Sequence, residues 1–235
     1  PALSMIDVGF TRADIRPADF IVVIDVLRAS STVAQALASG YRRVRCCDTR
    51  EGALELRAPG RVIAGEREWV TPPDFDLGNS PGAFTEPQGE EVVLATTNGS
   101  PMIAAAAEVS DEVLLASVLN LEAVLAALPA ADVLLAGSGT NGRPALEDIY
   151  LAGRISMRLD GEPTDAALAA EAVARGYEDP LAALTAGEDA ARLREVGLGE
   201  DVEWCARESV LDSVPRVASV EDGVAVVEHA QPSNP

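Results

Sequence analysis

The chain has 235 residues, 48% of them hydrophobic but only 4% aromatic, and carries a formal net charge of -20. That length suits one large α/β domain whose core is filled by Ala, Val and Leu rather than by rings. The charge excludes the basic footprint that nucleic acid needs and argues against an anionic membrane surface, so any anionic ligand must be held by a local cation set against the global field.

All 18 basic residues are Arg. Without Lys there is no Schiff-base lysine, no Walker-type phosphate loop and no kinase lysine. The single His229 lies near the C-terminus in a valine-rich strand pattern, with no second His to pair with. Cys46, Cys47 and Cys205 form no CxxC motif, and none is followed by an Arg six residues on. They read as reduced, partly buried thiols of a cytoplasmic protein. Neither a signal-peptide pattern nor an apolar run of membrane-spanning length is visible.

In chain order, Met5 to Phe10 reads as a first strand and Ala13 to Asp19 as a polar turn. Phe20 to Ile24 is a run short enough for a buried strand, closed by Asp25. Arg28 follows, then Ser30, Ser31 and Thr32 before a helical pattern at Val33 to Ala38 that stops at Gly40. Strands are expected at Arg43 to Cys47, Arg61 to Gly65, Glu91 to Thr96, Glu112 to Ala116 and Asp132 to Ala136. Helices are expected from Asp48 or Thr49 to Leu56, from Thr97 to Glu108, from Asn120 to Leu128 and from about Ala145 to Leu159.

Strands alternating with helices at short spacing predict a layered αβα domain with a mostly parallel or mixed sheet. After Gly161 the texture changes to Ala- and Leu-rich helical patterns, Thr164 to Arg175 and Leu181 to Val196. Val214 to Val217 and Val224 to Val227 then read as a C-terminal hairpin around Asp222-Gly223. The expectation is one α/β domain over 1–235 with a helical subregion near 162–200 and a disordered tail, Gln231 to Pro235.

Open α/β sheets keep ligands at the carboxyl ends of their strands, where helix N-termini favour anions. Asp25 and Arg28, Glu66 and Arg67, and Asn98-Gly99-Ser100 occupy three such ends; Asn79-Ser80-Pro81 repeats the last pattern. Glu147 and Asp148 lie just past a glycine loop, Gly137 to Gly142. Taken singly, these groups have plain structural readings as caps, surface ion pairs and first-turn acids. Their common placement is what points to chemistry. The glycine loop formally fits a dinucleotide fingerprint, but the strand and acid that should follow about 20 residues on fall within one long helix.

These pieces resemble a known family, the 2-phosphosulfolactate phosphatases of the coenzyme M pathway and their bacterial relatives. The matching residues are Asp25-Val26-Leu27-Arg28-Ala29-Ser30, Gly65-Glu66-Arg67, Phe75 to Pro81, Thr96-Thr97-Asn98-Gly99, Asn120, and the Gly137 to Gly142 loop with Glu147-Asp148. They run in the family's order from about residue 5 to 160. Around Asp201 to Pro215 only a loose match persists. The resemblance implies Mg²⁺-dependent hydrolysis of the phosphate ester of a small 2-hydroxy acid. It points to Asp25, Arg28, Glu66 and Arg67 for catalysis, and to Asn79, Ser80, Thr97, Asn98, Gly99 and Ser100 for the substrate. Asp25, Glu66, Glu147 and Asp148 are the candidate metal ligands.

The family pattern leads one to expect small residues at Glu68 and Trp69 and a Gly at Asp74, so bulk and charge here bear on the substrate. Asp25 sits where haloacid-dehalogenase phosphatases place a nucleophile, but their second Asp is Leu27 here, which favours an attacking water. The expected partner is a small anionic phosphorylated substrate; the Ala-rich helices also offer a face for a homo-oligomer. A non-catalytic module that binds an anionic metabolite is the alternative.

Overall fold

The computed structural model describes residues 4–230. The C-terminal segment expected to be disordered, 231–235, lies outside the described residues. The strands are β1 (Met5–Gly9), β2 (Phe20–Ile24), β3 (Arg43–Cys47), β4 (Arg61–Gly65), β5 (Glu91–Ala95), β6 (Val113–Ala116), β7 (Val133–Gly137), β8 (Glu162–Pro163), β9 (Pro215–Glu221) and β10 (Val224–His229). The helices are α1 (Ala29–Ser39), α2 (Arg50–Glu55), α3 (Gly99–Ala107), α4 (Leu121–Ala127), α5 (Leu146–Ser156), α6 (Asp165–Arg175), α7 (Pro180–Ala186), α8 (Glu188–Glu195) and α9 (Glu200–Cys205).

Successive strand side chains point to opposite faces, and β2 buries both sets. Ile21 and Val23 join one apolar cluster with α1 and α3, while Val22 and Ile24 join another with α5 to α9. A third, smaller cluster sets Ile63, Val93 and Ala95 against Ala53 of α2 and Phe75. The result is the layered αβα arrangement expected from the alternating pattern.

The single sheet has the order β4-β5-β3-β10-β9-β6-β2-β7-β1-β8. Two parallel blocks, β4-β5-β3 and β6-β2-β7-β1-β8, are joined by the β9–β10 hairpin. All three ladders through the hairpin are antiparallel, so the two blocks have opposite strand sense along the sheet. Parallel topology would bring successive strand ends to one edge; here the ends of the two blocks point to opposite edges. Instead, α1 and α3 pack against both blocks, and one apolar cluster runs from β2, β6 and β7 through these helices to β3, β4 and β5. The hairpin does rejoin the sheet, at its middle.

Other boundaries differ for local reasons. The helical pattern Leu181 to Val196 is two helices, split at Gly187, whose extended backbone ends α7 and caps α8. A Cβ at Gly187 would lie 2.8 Å from Glu147 Oε2, so the break is also a close approach to α5. The sequence reading did not resolve α9 or the two-residue edge strand β8. Ser80-Pro81 opens only a 3-10 turn, Pro81–Phe84, too short to present a helix N-terminus to a ligand.

Glu91, at the start of β5, is buried under four guanidinium groups. Arg42, Arg45 and Arg61 donate to it at 2.5, 2.9 and 3.1 Å, and Arg43 Nε stands at 3.5 Å. Burial pushes its carboxyl up, but the Arg45 and Arg42 hydrogen bonds and the charges of Arg45 and Arg43 outweigh this and hold it at about 2. A depressed carboxyl stabilises the fold above its ordinary value, and that contribution is lost as pH falls toward about 2. Glu91→Gln should lower stability at pH 7 by about 3 kcal/mol, because it strands the buried Arg45 guanidinium. Urea titrations at pH 7 and pH 3 check this: the gap between wild type and variant should narrow at the lower pH.

Candidate active site

The corner after β2 is built by its own backbone. Asp25 N–H donates to Ser30 Oγ at 3.1 Å, and Ala29 N–H donates to Asp25 Oδ1 at 2.9 Å. The carboxylate thus satisfies an orphan N–H at the start of α1, and its Oδ2 accepts no protein hydrogen bond among the described residues. Beside it, α3 begins at Gly99. A Cβ there would lie 2.3 Å from Ala29 Cβ and 2.5 Å from Asp25 Oδ2. Only Gly allows the two helix starts to meet over Asp25.

Asp25 and Arg28 line a polar cavity of about 290 Å³ with Glu66, Asn79, Thr97 and Asn98. These follow β2, β4 and β5 or lie in the connection between the latter two. Burial raises the Asp25 carboxyl from 3.8 to about 7; the Ala29 N–H opposes the rise, while Asp189 and Glu66 add to it and Arg28 opposes it. Arg28 is 2% exposed. Its Nη1 donates to Asp201 Oδ2 at 2.5 Å and to Ser80 Oγ at 3.2 Å, and Ser80 Oγ donates to the same Asp201 oxygen at 2.8 Å. Nε and Nη2 remain for a bidentate contact to an oxyanion.

Glu66 is held from three sides. Thr97 N–H donates to Oε1 at 2.7 Å, and Trp69 N–H and Thr97 Oγ donate to Oε2 at 2.9 and 3.2 Å. Arg67 turns away from the cavity: its guanidinium donates to the carbonyls of Glu66 and Asp48 at 2.7 and 3.0 Å. Ser80 stands behind Arg28 as its support. Ser100 is fully buried and caps Thr96 N–H at 3.1 Å, so it serves the fold of α3 rather than the cavity. Asn79 does face the cavity, and its Oδ1 is buried without a partner.

The four carboxylates expected around one metal are not brought together. Asp25 and Glu66 line the cavity; Glu147 and Asp148 stand behind the glycine loop. Asp148 spends both oxygens on backbone, accepting from Val26 N–H at 2.9 Å and Gly139 N–H at 3.1 Å. Burial, then the charge of Asp25, raises it well above the carboxylate range. Glu147 is 1% exposed with Oε2 unpartnered, and burial followed by the charges of Asp148 and Asp189 raises it likewise. Among the described residues no group of three or more His, Cys, Asp or Glu is placed to hold a metal ion.

The glycine loop carries no dinucleotide geometry. Gly139 and Gly142 have φ of +60° and +74°, and Thr140 and Arg143 bridge in a tight turn. The helix that follows begins only at Leu146, so its N-terminus does not open in the loop. Thr140 and Asn141 instead form a wall of the cavity, and Thr140 Oγ donates to Asp189 at 2.5 Å.

Glu68 and Trp69 reach the same cavity from backbone at φ +50° and +74°. Left-handed backbone costs a residue with a Cβ about 1–2 kcal/mol, which is the physical reason a small residue is expected there. Asp201, Asp189 and Arg192 were missed by sequence reasoning. They belong to α8 and α9, where only Asp201 fell within a weak match, and no local pattern pointed to the others.

A buried guanidinium facing a carboxyl of raised pKa, at strand ends of an α/β sheet, is the equipment of an enzyme acting on small oxyanions. Residues 10–219 match the family model described as 2-phosphosulpholactate phosphatase. A "Probable 2-phosphosulfolactate phosphatase" of Thermus thermophilus is 39% identical over 206 residues, covering 84% of this chain and 87% of the relative. One of Thermotoga petrophila is 41% identical over 203 residues, covering 84% and 88%. One of Deinococcus radiodurans is 36% identical over 218 residues, covering 87% and 90%. The chain belongs to the 2-phosphosulpholactate phosphatase family. With it, the protein is a phosphoric monoester hydrolase.

Gly99→Ala tests the close approach over Asp25. Overpacking of this kind costs about 1–3 kcal/mol, and the displaced Oδ2 should lower phosphatase activity more than the lost stability explains. Thermal unfolding and turnover measured on one preparation separate the two effects.

Proposed function

We propose that this protein hydrolyses the phosphate ester of a small 2-hydroxy acid, 2-phosphosulfolactate first among them, in a Mg²⁺-dependent reaction. The observation that carries the reading is that one cavity is lined by both Asp25, whose Oδ2 accepts no hydrogen bond, and Arg28, whose Nε and Nη2 donate none, among the described residues. The relatives' printed name supplies the substrate.

The fit of Mg²⁺ rests on charge. Asp25, Glu66 and Glu68 face the cavity against Arg28, already paired with Asp201, and Arg192, paired with Glu195 at 2.7 Å. A polyanionic ester would meet uncompensated carboxylates. Mg²⁺ is commonly held by one or two carboxylates and completed by substrate phosphate and water, which suits Asp25 Oδ2 with Glu66 alongside and needs no three-carboxylate cage. When bound, the ion supplies charge neutralisation on the phosphoryl oxygens.

The chain's own groups do the rest. Arg28 grips two phosphoryl oxygens from a guanidinium that Asp201 and Ser80 hold still. Asn79 and Asn98 offer amide groups to the remaining oxygens. Trp69 gives the cavity an apolar wall that limits water. Phosphoryl transfer depends mainly on such positioning and electrostatics, so the absence of Lys is no obstacle. Asp25 Oδ2 would hold the ion and orient an attacking water beside it; an acyl-phosphate trapped on Asp25 after brief turnover would replace that water with Asp25 itself.

Phosphate release from 2-phosphosulfolactate, 2-phospholactate and phosphoglycolate should need Mg²⁺ and stop with EDTA. Asp25→Asn should lower kcat by at least about 100-fold, the scale of a lost electrostatic group at the reacting centre. Its stability should show the opposite sign. A carboxyl raised from 3.8 to about 7 favours the fold below pH 4 and loses that contribution as pH rises through 7. The thermal midpoint of wild type relative to Asp25→Asn should therefore fall between pH 4 and pH 7 in metal-free buffer. Metal-independent binding of the acids with no turnover would instead support a non-catalytic anion-binding module.

A further inference from the structure

A second cavity, of about 510 Å³, adjoins the first and shares Thr97, Asn98 and Asn141 with it. Asn141 N–H donates to Asn98 Oδ1 at 3.2 Å across this common wall. The Asn98 Nδ2 donors are not spent on any other protein group among the described residues.

The lining of this second cavity is unusual for a chain of net charge -20. It holds Arg12, Thr11 and Ser138 and not one carboxylate. Arg12 is exposed and forms no ion pair among the described residues, although Asp48 senses its charge. The nearest acid in sequence, Asp14, is occupied by the N–H groups of Phe10 and Thr11 and by Thr11 Oγ. Ser138 is 6% exposed, and its Oγ is buried without a partner among the described residues. A buried hydroxyl rarely goes unpaired in a native protein, so this one has a donor to spare at the wall of the cavity.

Resting on the phosphatase reading, we propose that this second cavity is the subsite for the acid end of the substrate that is not transferred. Arg12 pairs with the sulfonate there, Ser138 Oγ donates to one of its oxygens, and Asn98 Nδ2 bridges the two cavities. The phosphoryl group occupies the cavity of Asp25 and Arg28. The chemistry is that of a compact oxyanion, and free phosphate offers the same chemistry. The assignment is to the acid end because the shared wall sets the two anions of one small molecule side by side.

The test compares 2-phosphosulfolactate, which carries the sulfonate, with 2-phospholactate, which lacks it, on wild type, Arg12→Ala, Arg12→Lys and Ser138→Ala. Arg12 is exposed, so its variants should keep the thermal midpoint of wild type. Loss of a charge-assisted contact should raise KM for 2-phosphosulfolactate about tenfold or more in Arg12→Ala. The kcat, and both constants for 2-phospholactate, should stay within about twofold of wild type, the scale expected away from such a contact. Arg12→Lys should recover part of the loss and Ser138→Ala should share it. Equal effects on both esters, or none on either, would overturn the subsite. A parallel rise in the inhibition constant of inorganic phosphate would give the cavity to free phosphate and also overturn it. If wild type hydrolyses neither ester, the phosphatase reading fails on its own. Calorimetric binding of sulfolactate then decides: about tenfold weakening in Arg12→Ala upholds the subsite, and unchanged binding removes it.

Discussion

The site depends on one carboxylate that touches no substrate. Asp148 reaches from α5 to accept the N–H of Val26, just past β2, and of Gly139 in the glycine loop. An unpaired buried N–H is costly, so this double acceptance ties the corner of Asp25 and Arg28 to the loop that walls the cavity. Ser138 N–H adds a bond to Ile24 O at 2.8 Å. The strand end, the loop and the start of α5 therefore form one rigid piece. A charged pair in a cavity is useful only when held at this precision.

Around that piece the protein gathers acids and then manages their repulsion. Asp25, Glu147, Asp148 and Asp189 are all pushed up by burial; the charge of Asp189 adds to the rise at the other three, and that of Asp25 adds to it at Asp148. Arg28 opposes the rise at Asp25 and is itself anchored by Asp201 of α9. The helical excursion is thus more than cover for the sheet. It delivers Asp201 beneath Arg28 and Asp189 beside Thr140, and it brings Arg192 to the cavity. A chain so negative overall presents Arg28 and Arg192 at this cavity, and leaves a carboxylate-free cavity next door.

The opposite strand sense of the two sheet blocks explains how distant segments reach one cavity. In a flat sheet, the ends of β2 and β5 would lie at opposite edges. Here α1 and α3 are shared by both blocks, and their first turns meet at Ala29 and Gly99. The contact is so close that a single methyl group would fill it. The hairpin of β9 and β10, last in sequence, sits in the middle of the sheet and sets this relation between the blocks.

Much of this was legible in the residues themselves. Apolar runs of about five, ended by Asp25, Gly65 or Gly137, marked the strands because a buried strand needs such a run and little else. Asp25, Arg28 and Asn98 were marked by their position at strand ends beside helix starts, a local relation that any reader of the sequence can see. The roles of Glu66, Arg67, Ser100, Glu147 and Asp148 were not legible. Whether a carboxylate faces a cavity or caps a backbone N–H depends on which loop folds over it, and that is settled by contacts between segments tens of residues apart. The same holds for Asp201, 173 residues from the Arg28 it anchors, and for Gly187, which splits a periodic helical stretch to admit Glu147. Local pattern and turn chemistry determined the elements and the corner. Only tertiary packing decided which of the buried charges would face one another, because desolvation and pairing act through space and not along the chain.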